Sequence, residues 1–345
     1  MNTPSPRISQ RDIAARAGVS VMTVSLALRG STEISKQTVE RVRKLAEEMG
    51  YVPNPLVSAL MRNRKGRGQV ESGLSVAWHG AATALRKRER GKAHYCDIYD
   101  EMLKGAREAC RRNGFALNLF LHHESGPELP QVLRARGIRG LVLGPIGQQY
   151  TRKLALDQVQ GLHLVRVAPS DQEDSVDIVE RNFFDEMKMC VNALADAGCR
   201  KIGFIDYENH ERQSGGRWKG AFLSSEREGL QLCRPELYPI PFQEAAEWLD
   251  RYIQEEHPDG LILGGRVYIE AMIARKQAGT HIPFCCLERN TWPDWISGVE
   301  TGFQQIGASA VQQVIHRILS THASYDTPQT TLIRSTWHEG NSHLR

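Results

Sequence analysis

Residues 9 to 30, SQRDIAARAGVSVMTVSLALRG, read as two short helices pinned around a single glycine, and few arrangements satisfy that spacing. Ser9 and Asp12 form a capping box that starts the first helix and sets Ile13, Ala14 and Ala17 on its inner face. Gly18 ends it, because glycine tolerates the left-handed backbone that a tight inter-helix turn demands, and Val19 plugs the core beneath. Ser20 caps a second helix in which Val24 and Leu28, one turn apart, face inward. Val21, Met22, Ser25, Leu26 and Arg29 are left pointing outward. Such a pair suits the major groove of DNA, where the N-terminal end of the second helix reaches base edges while hydroxyls and amides meet phosphate. A helical hairpin packed only for stability is the alternative for this stretch alone.

The residues that follow narrow the choice. Ser35 opens a third helix with Val39, Val42, Ala46 and Met49 on one stripe and Gly50 as its stop. Asn54 is a natural N-cap and Pro55 fits a first helical position, so a short apolar helix carrying Leu56 and Leu60 comes after the three-helix globule. Asp12-Ile13-Ala14, Ala17-Gly18-Val19-Ser20, Thr23-Val24-Ser25, Ile34-Ser35 with Thr38, and Gly50-Tyr51 through Pro53-Asn54 together resemble the lactose/galactose repressor (LacI/GalR) family of bacterial transcription regulators.

That resemblance implies a set of roles. Val21 and Met22 would read bases, as would Leu26, where many members of the family carry Arg. Leucine offers apolar contact, for instance to a thymine methyl, in place of a bidentate bond to guanine. Ser20, Thr23, Ser25, Arg29, Ser35 and Asn54 would contact phosphate. Val57 and Leu60 would belong to a hinge helix that enters the minor groove, with Leu60 the wedge that partly unstacks a base step. So short a helix is unstable alone and is expected to form on DNA or against its twofold mate. An amphipathic linker packed on the body is the alternative.

Charge divides the chain the same way. Residues 1–70 hold 12 Lys/Arg against 5 Asp/Glu, a net of +7, whereas the whole chain is +4, so the rest carries −3. The basic character belongs to the head, as phosphate neutralisation requires, and binding is expected to depend steeply on salt. Residues 62–71, which include RNRKGRG, read as a basic linker between a head at 1–61 and a body at 72–345. With 345 residues, 41% of them apolar, that body can bury real cores.

Beyond the linker the period changes. Apolar runs at Leu74–Trp78, Phe115–Leu121, Gly140–Gly144, Leu162–Val167, Lys201–Asp206, Gly260–Gly264 and Phe284–Leu287 alternate with helical stretches such as 98–113. This βα alternation predicts an α/β body with parallel sheets. The resemblance implies a periplasmic-binding-protein-like body of two lobes, crossed three times by the chain, with a small-molecule effector in the cleft and homodimers on a pseudo-palindromic operator.

Gly215-Gly216-Arg217-Trp218-Lys219-Gly220 is similar to the family's Arg-x-x-Gly segment, which makes Arg217 the leading effector-binding candidate. Two departures accompany it. Gly264-Gly265-Arg266 stands where relatives often have Asn-Asp, and Cys286-Leu287-Glu288 where they commonly have Gly-aromatic-Asp. Arg266, Glu288 and Trp78 complete the candidate effector set, and Arg217 with Arg266 would suit an anionic sugar derivative as well as a sugar.

Other segments carry less. Residues 85–92, five of eight basic, read as a solvated loop or a lid. His122-His123-Glu124 lacks a third metal ligand nearby, and the seven cysteines show no metal or redox spacing, so scattered reduced thiols, no metal and no cofactor are expected. No apolar N-terminal segment resembles a signal peptide and no run reaches the length of a membrane span, so a cytoplasmic, non-membrane protein is expected. Helix-turn-helix heads also occur on sugar-processing enzymes. Phosphate-loop, GxSxG and HExxH motifs are absent here, which points away from catalysis. A DNA-binding protein with a decayed, effector-blind cleft is the other alternative.

Overall fold

The computed structural model describes residues 9–28, 34–49, 51, 75–80, 93–121, 128–144, 161–167, 176–238, 244–290, 292–319 and 327–344. Contacts divide the chain into two compact units, Met1–Ser72 and Gly73–Arg345. Arg29, Asn54, Val57 and Leu60, the linker at 62–71, the basic stretch 85–92 and His122-His123-Glu124 lie outside the described residues.

The head has three helices, α1 (Gln10–Ala17), α2 (Val21–Leu28) and α3 (Lys36–Glu48). The capping box at α1 is complete: Ser9 Oγ accepts from the Asp12 amide at 3.4 Å, and Asp12 Oδ2 accepts from the Ser9 amide at 2.8 Å. The Ser9 hydroxyl also donates to Asp12 Oδ2 at 2.7 Å, and this bond, with that from the Ser9 amide, holds the Asp12 carboxyl below its usual range. Gly18 takes φ +64° and returns its N–H to the Ala14 carbonyl, which closes the helix and swings the chain into α2. Ile13, Ala14, Ala17, Val24, Ala27, Val42 and Ala46 form the core, with Val19, Leu28, Val39 and Met49 packed half-buried around it. Val24 lies in the core and Leu28, the other residue expected to face inward, packs half-buried against it, while Ala27 joins Val24 as the second fully buried residue of α2.

The second unit contains two lobes. In the first, β1 (Ser75–Gly80), β2 (Ala116–Leu121), β3 (Gly140–Leu143), β4 (His163–Val167), β5 (Asp177–Arg181) and β12 (Thr330–Ile333) form a parallel sheet ordered β12-β5-β4-β3-β1-β2. Alternation along β1 sends Val76 and Trp78 toward α4 (Ala93–Arg112) and α11 (Phe303–Leu319), while Ala77 faces α5 (Leu129–Ala135). In the second lobe, β6 (Lys201–Tyr207), β7 (Gln231–Leu232), β8 (Glu236–Tyr238), β9 (Gly260–Leu263), β10 (Phe284–Cys286), β11 (Gly298–Glu300) and β13 (Thr336–His338) run in the order β13-β11-β10-β9-β6-β7, with β8 also paired to β6. Only β13, on β11, is antiparallel among these described pairs. One face of this sheet is covered by α6 (Phe183–Asp196) and α8 (Arg217–Leu223), the other by α9 (Ala245–Glu256) and α10 (Arg266–Gln277); α7 (Glu208–Gln213) follows β6.

Three crossings join the lobes: β5 to α6 through Asn182, β11 to α11 through Thr301 and Gly302, and β12 to β13 through Arg334 and Ser335. They are tied to their surroundings. The Asn182 amide donates to the Ile333 carbonyl at 3.0 Å, and Asn290 bonds both backbone groups of Thr301, accepting at 3.0 Å and donating at 2.9 Å.

Among the described residues no cluster of His, Cys, Asp or Glu is placed to hold a metal ion, and no helix is long and apolar enough to cross a membrane.

Candidate functional site

In the head, the second helix of the pair presents an apolar outer edge. Val21 is 42% and Met22 59% exposed, while Ser25 and Leu26 are half-buried beside them. The two serines at helix starts use one device. Ser20 Oγ accepts from the Thr23 amide at 3.0 Å, Ser35 Oγ accepts from the Thr38 amide at 3.2 Å, and each serine also shares a hydroxyl bond with its threonine, at 2.9 and 2.8 Å. Arg11, Arg16, Lys36, Arg41, Arg43 and Lys44 are exposed around this globule.

In the body, the chain leaves β5 through Glu180 and Arg181, and both reach into the second lobe. Arg181 is buried. Its Nε donates to both Glu186 oxygens at 2.8 Å, Nη1 to Glu288 Oε1 at 2.6 Å, and Nη2 to the Leu287 carbonyl at 2.7 Å. Its guanidinium carbon lies 5.1 Å from the ring centre of Trp218, 5.5 Å from that of Phe183 and 5.9 Å from that of Phe303. Burial opposes the charged form, but the carboxylates of Glu186 and Glu288 overcome it and raise the pKa of Arg181. Burial raises that of Glu186, against the pull of Arg181.

Arg217, placed at the start of α8 by consecutive left-handed glycines (Gly215 φ +63°, Gly216 φ +77°), donates from Nη1 to both oxygens of Glu180 at 2.7 Å. The Glu180 side chain is 2% exposed and that of Arg217 is 42% exposed. Burial raises the pKa of Glu180, with Arg217 opposing. Two residues expected to meet an effector, Arg217 and Glu288, are therefore engaged by adjacent residues of the opposite lobe. Sequence reading does not single out Glu180 and Arg181, although a charged pair closing the run DIVER is a signal that a buried strand end has partners to find.

Glycine at 264 and 265 has a steric reason. A Cβ on Gly264 would stand 2.1 Å from the Asp206 carboxyl carbon, and one on Gly265, whose φ is +72°, 2.2 Å from the Tyr207 ring. The space that an Asn-Asp pair would need is filled from β6. Asp206 Oδ1 lies 3.0 Å from His210 Nδ1, both residues being buried. Burial works against the protonated ring, yet the charge and hydrogen bond of Asp206, with Glu288 behind them, push the His210 pKa up to about 9.

Arg266 pairs with Glu270 at 2.7 Å and lies 5.3 Å from the Trp292 ring centre, so Arg217 and Arg266 are each held by a different carboxylate. Trp78, expected at the cleft, is instead 4% exposed in the first lobe's core, because strand alternation puts it on the same face as Val76.

Residues 10–54 match the family described as bacterial regulatory proteins, lacI family. The maltose regulon regulatory protein MalI of Escherichia coli (strain K12) is 24% identical over 339 residues, covering 96% of this chain and 87% of MalI. The HTH-type transcriptional regulator IdnR of the same organism is 50% identical over 48 residues, 14% of each chain. The lac repressor dimer bound to operator and the anti-inducer ONPF shares the fold with a TM-score of 0.59 at 16% identity, over 99% of this chain and 100% of that one. The head is thus similar to bacterial regulatory proteins of the lacI family over residues 10–54, and the chain is similar to the regulator MalI along nearly its whole length.

Proposed function

We propose that the chain is a sequence-specific, DNA-binding transcriptional repressor, acting as a homodimer on a pseudo-palindromic operator, whose body reports a small molecule taken between its two lobes. The observation that carries this is the head: two helices locked around Gly18, with the outer edge of α2 free of core duty, on a globule rimmed with Arg and Lys. The lac repressor, whose fold the chain shares, binds operator and a small-molecule ligand as a dimer. The relatives are regulators, and we read the chain as a non-enzyme that works in the cytoplasm, where its DNA partner is. Domain limits of 1–61, 62–71 and 72–345 belong to the same reading, as do the phosphate roles of Ser20, Thr23, Ser25, Arg29, Ser35 and Asn54 and the minor-groove roles of Val57 and Leu60.

For the effector, Arg217, Glu288 and Arg266 remain the candidates, and the interlobe ion pairs add a condition. A ligand that takes Arg217 must displace the Glu180 carboxylate or bridge to it, so it needs an acidic or strongly hydrogen-bonding group. Calorimetric titration with sugar acids and phosphorylated sugars against neutral sugars tests this, and binding of neutral sugars alone would count against it. The effector-blind alternative draws on the same ion pairs, since they occupy the cleft groups without any ligand. If no compound of these classes shifts the melting temperature, that alternative gains. Operator binding is measured by anisotropy on a sequence enriched from a random library. Its logarithm should fall linearly with log salt, and effector affinity should change by the same factor that the effector changes operator affinity. Equal effector affinity with and without operator would refute the coupling.

A further inference from the structure

We propose that α2 recognises its operator through the 5-methyl groups of thymine, with Val21 and Met22 as apolar readers in the major groove; this rests on the DNA-binding reading above. Val21 and Met22 are the large hydrophobic residues of the described head that stay exposed, at 42% and 59%, and they are neighbours in the first turn of α2. Neither fills the core, which takes Val24 and Ala27 from this helix. The polar groups beside them are used locally, since Ser20 caps the Thr23 amide and the two hydroxyls bond each other at 2.9 Å. What this edge offers a base pair is therefore two methyls and a thioether.

In the major groove the base edges carry hydrogen-bonding groups, and thymine alone adds a methyl. The basic charge of the head draws it to any duplex, because phosphate contacts hold no sequence information. Discrimination then falls to apolar contact. Val21, stiff at χ1, fixes one methyl position closely, whereas the flexible Met22 tolerates a wider one. Leu26, one turn on from Met22 and half-buried, extends the same strip.

The test uses the full chain and a half-site enriched from a random double-stranded library. Each thymine is replaced in turn by uracil, which keeps every hydrogen-bonding group and removes only the methyl. The expected result is an affinity loss of about fourfold at one or two thymines in each half-site, the size set by one buried methyl group. In Val21→Ser and Met22→Gln chains with unchanged melting temperature, the uracil effect should disappear at the matching position. Uracil that is neutral at every thymine of a clearly enriched sequence overturns the inference and leaves the DNA-binding reading standing. Failure to enrich any sequence overturns both.

Discussion

Arg181 and His210 show what single residues do at the junction of the lobes. A buried guanidinium is tolerable only when its donors and its charge are met, and Arg181 meets two carboxylates, a carbonyl and the faces of aromatic rings. Glu186 lies in α6 while Leu287 and Glu288 follow β10, so one side chain from β5 of the first lobe holds two separate segments of the second. His210 gives this junction a pH response. Its pKa is about 9 when folded against 6.5 ordinarily. The imidazolium's contribution is therefore fully present below about 6.5 and is lost as pH rises through about 9, an effect of up to about 3 kcal/mol. The melting temperature should fall between these pH values in the native chain and follow a flatter course in His210→Gln. Parallel curves would remove the ion pair from the stability of the second lobe.

At the scale of elements, α4 and α11 cross at the distance of a backbone, not of a side chain. A Cβ on Gly105 would lie 1.8 Å from the Gln304 carbonyl oxygen, and one on Gly307 1.9 Å from that of Met102. Neither obstacle is a flexible side chain that can step aside. Gly307→Val should lower stability by about 1–3 kcal/mol or more in chemical denaturation, through overpacking at this crossing. A change at Gly279, where a Cβ meets open space, would differ in cause, being limited to its left-handed φ of +82°.

Elements with strong local signals are the ones that sequence reading finds. The Ser9–Asp12 box, the Gly18 turn and the apolar runs of β1, β2, β3, β4, β6, β9 and β10 fall where expected, within a residue or two. Strands β5, β7, β8, β11, β12 and β13 carry no such signal. They are two to five residues long, and β5 holds Asp177, Glu180 and Arg181, whose burial makes sense only once Arg317, Arg217, Glu186 and Glu288 are in place. Arg217 and Glu288 stand out in the sequence but their partners Glu180 and Arg181 do not, because those pairings are 37 and 107 residues apart along the chain.

Over the whole molecule, burial controls the thiols in the same way in both lobes. Cys110, Cys190, Cys199, Cys233, Cys285 and Cys286 are buried and form no disulfide with one another. Burial pushes Cys110 up to about 12 and Cys233 up to about 11, and raises Cys285 and Cys286 as well, so the reactive thiolate is scarce at neutral pH. With seven cysteines in the chain, a thiol reagent added to the native protein should label at most one quickly, and the other six only at the rate of unfolding. Rapid labelling of one of the six would mark a region that opens on its own.

The three crossings also order events during synthesis. The wall of the first lobe that supplies Phe303, Ile306, Val311, Val314 and Ile318 to its core comes after nearly all of the second lobe in the chain. A nascent polypeptide emerged through residue 300 holds every described second-lobe strand but β13, yet its first lobe lacks α11 and β12. The lobe begun first is thus the one completed late, and until α11 arrives the exposed faces of β1, β3 and β4 are open to chaperones or to neighbouring chains on the same message.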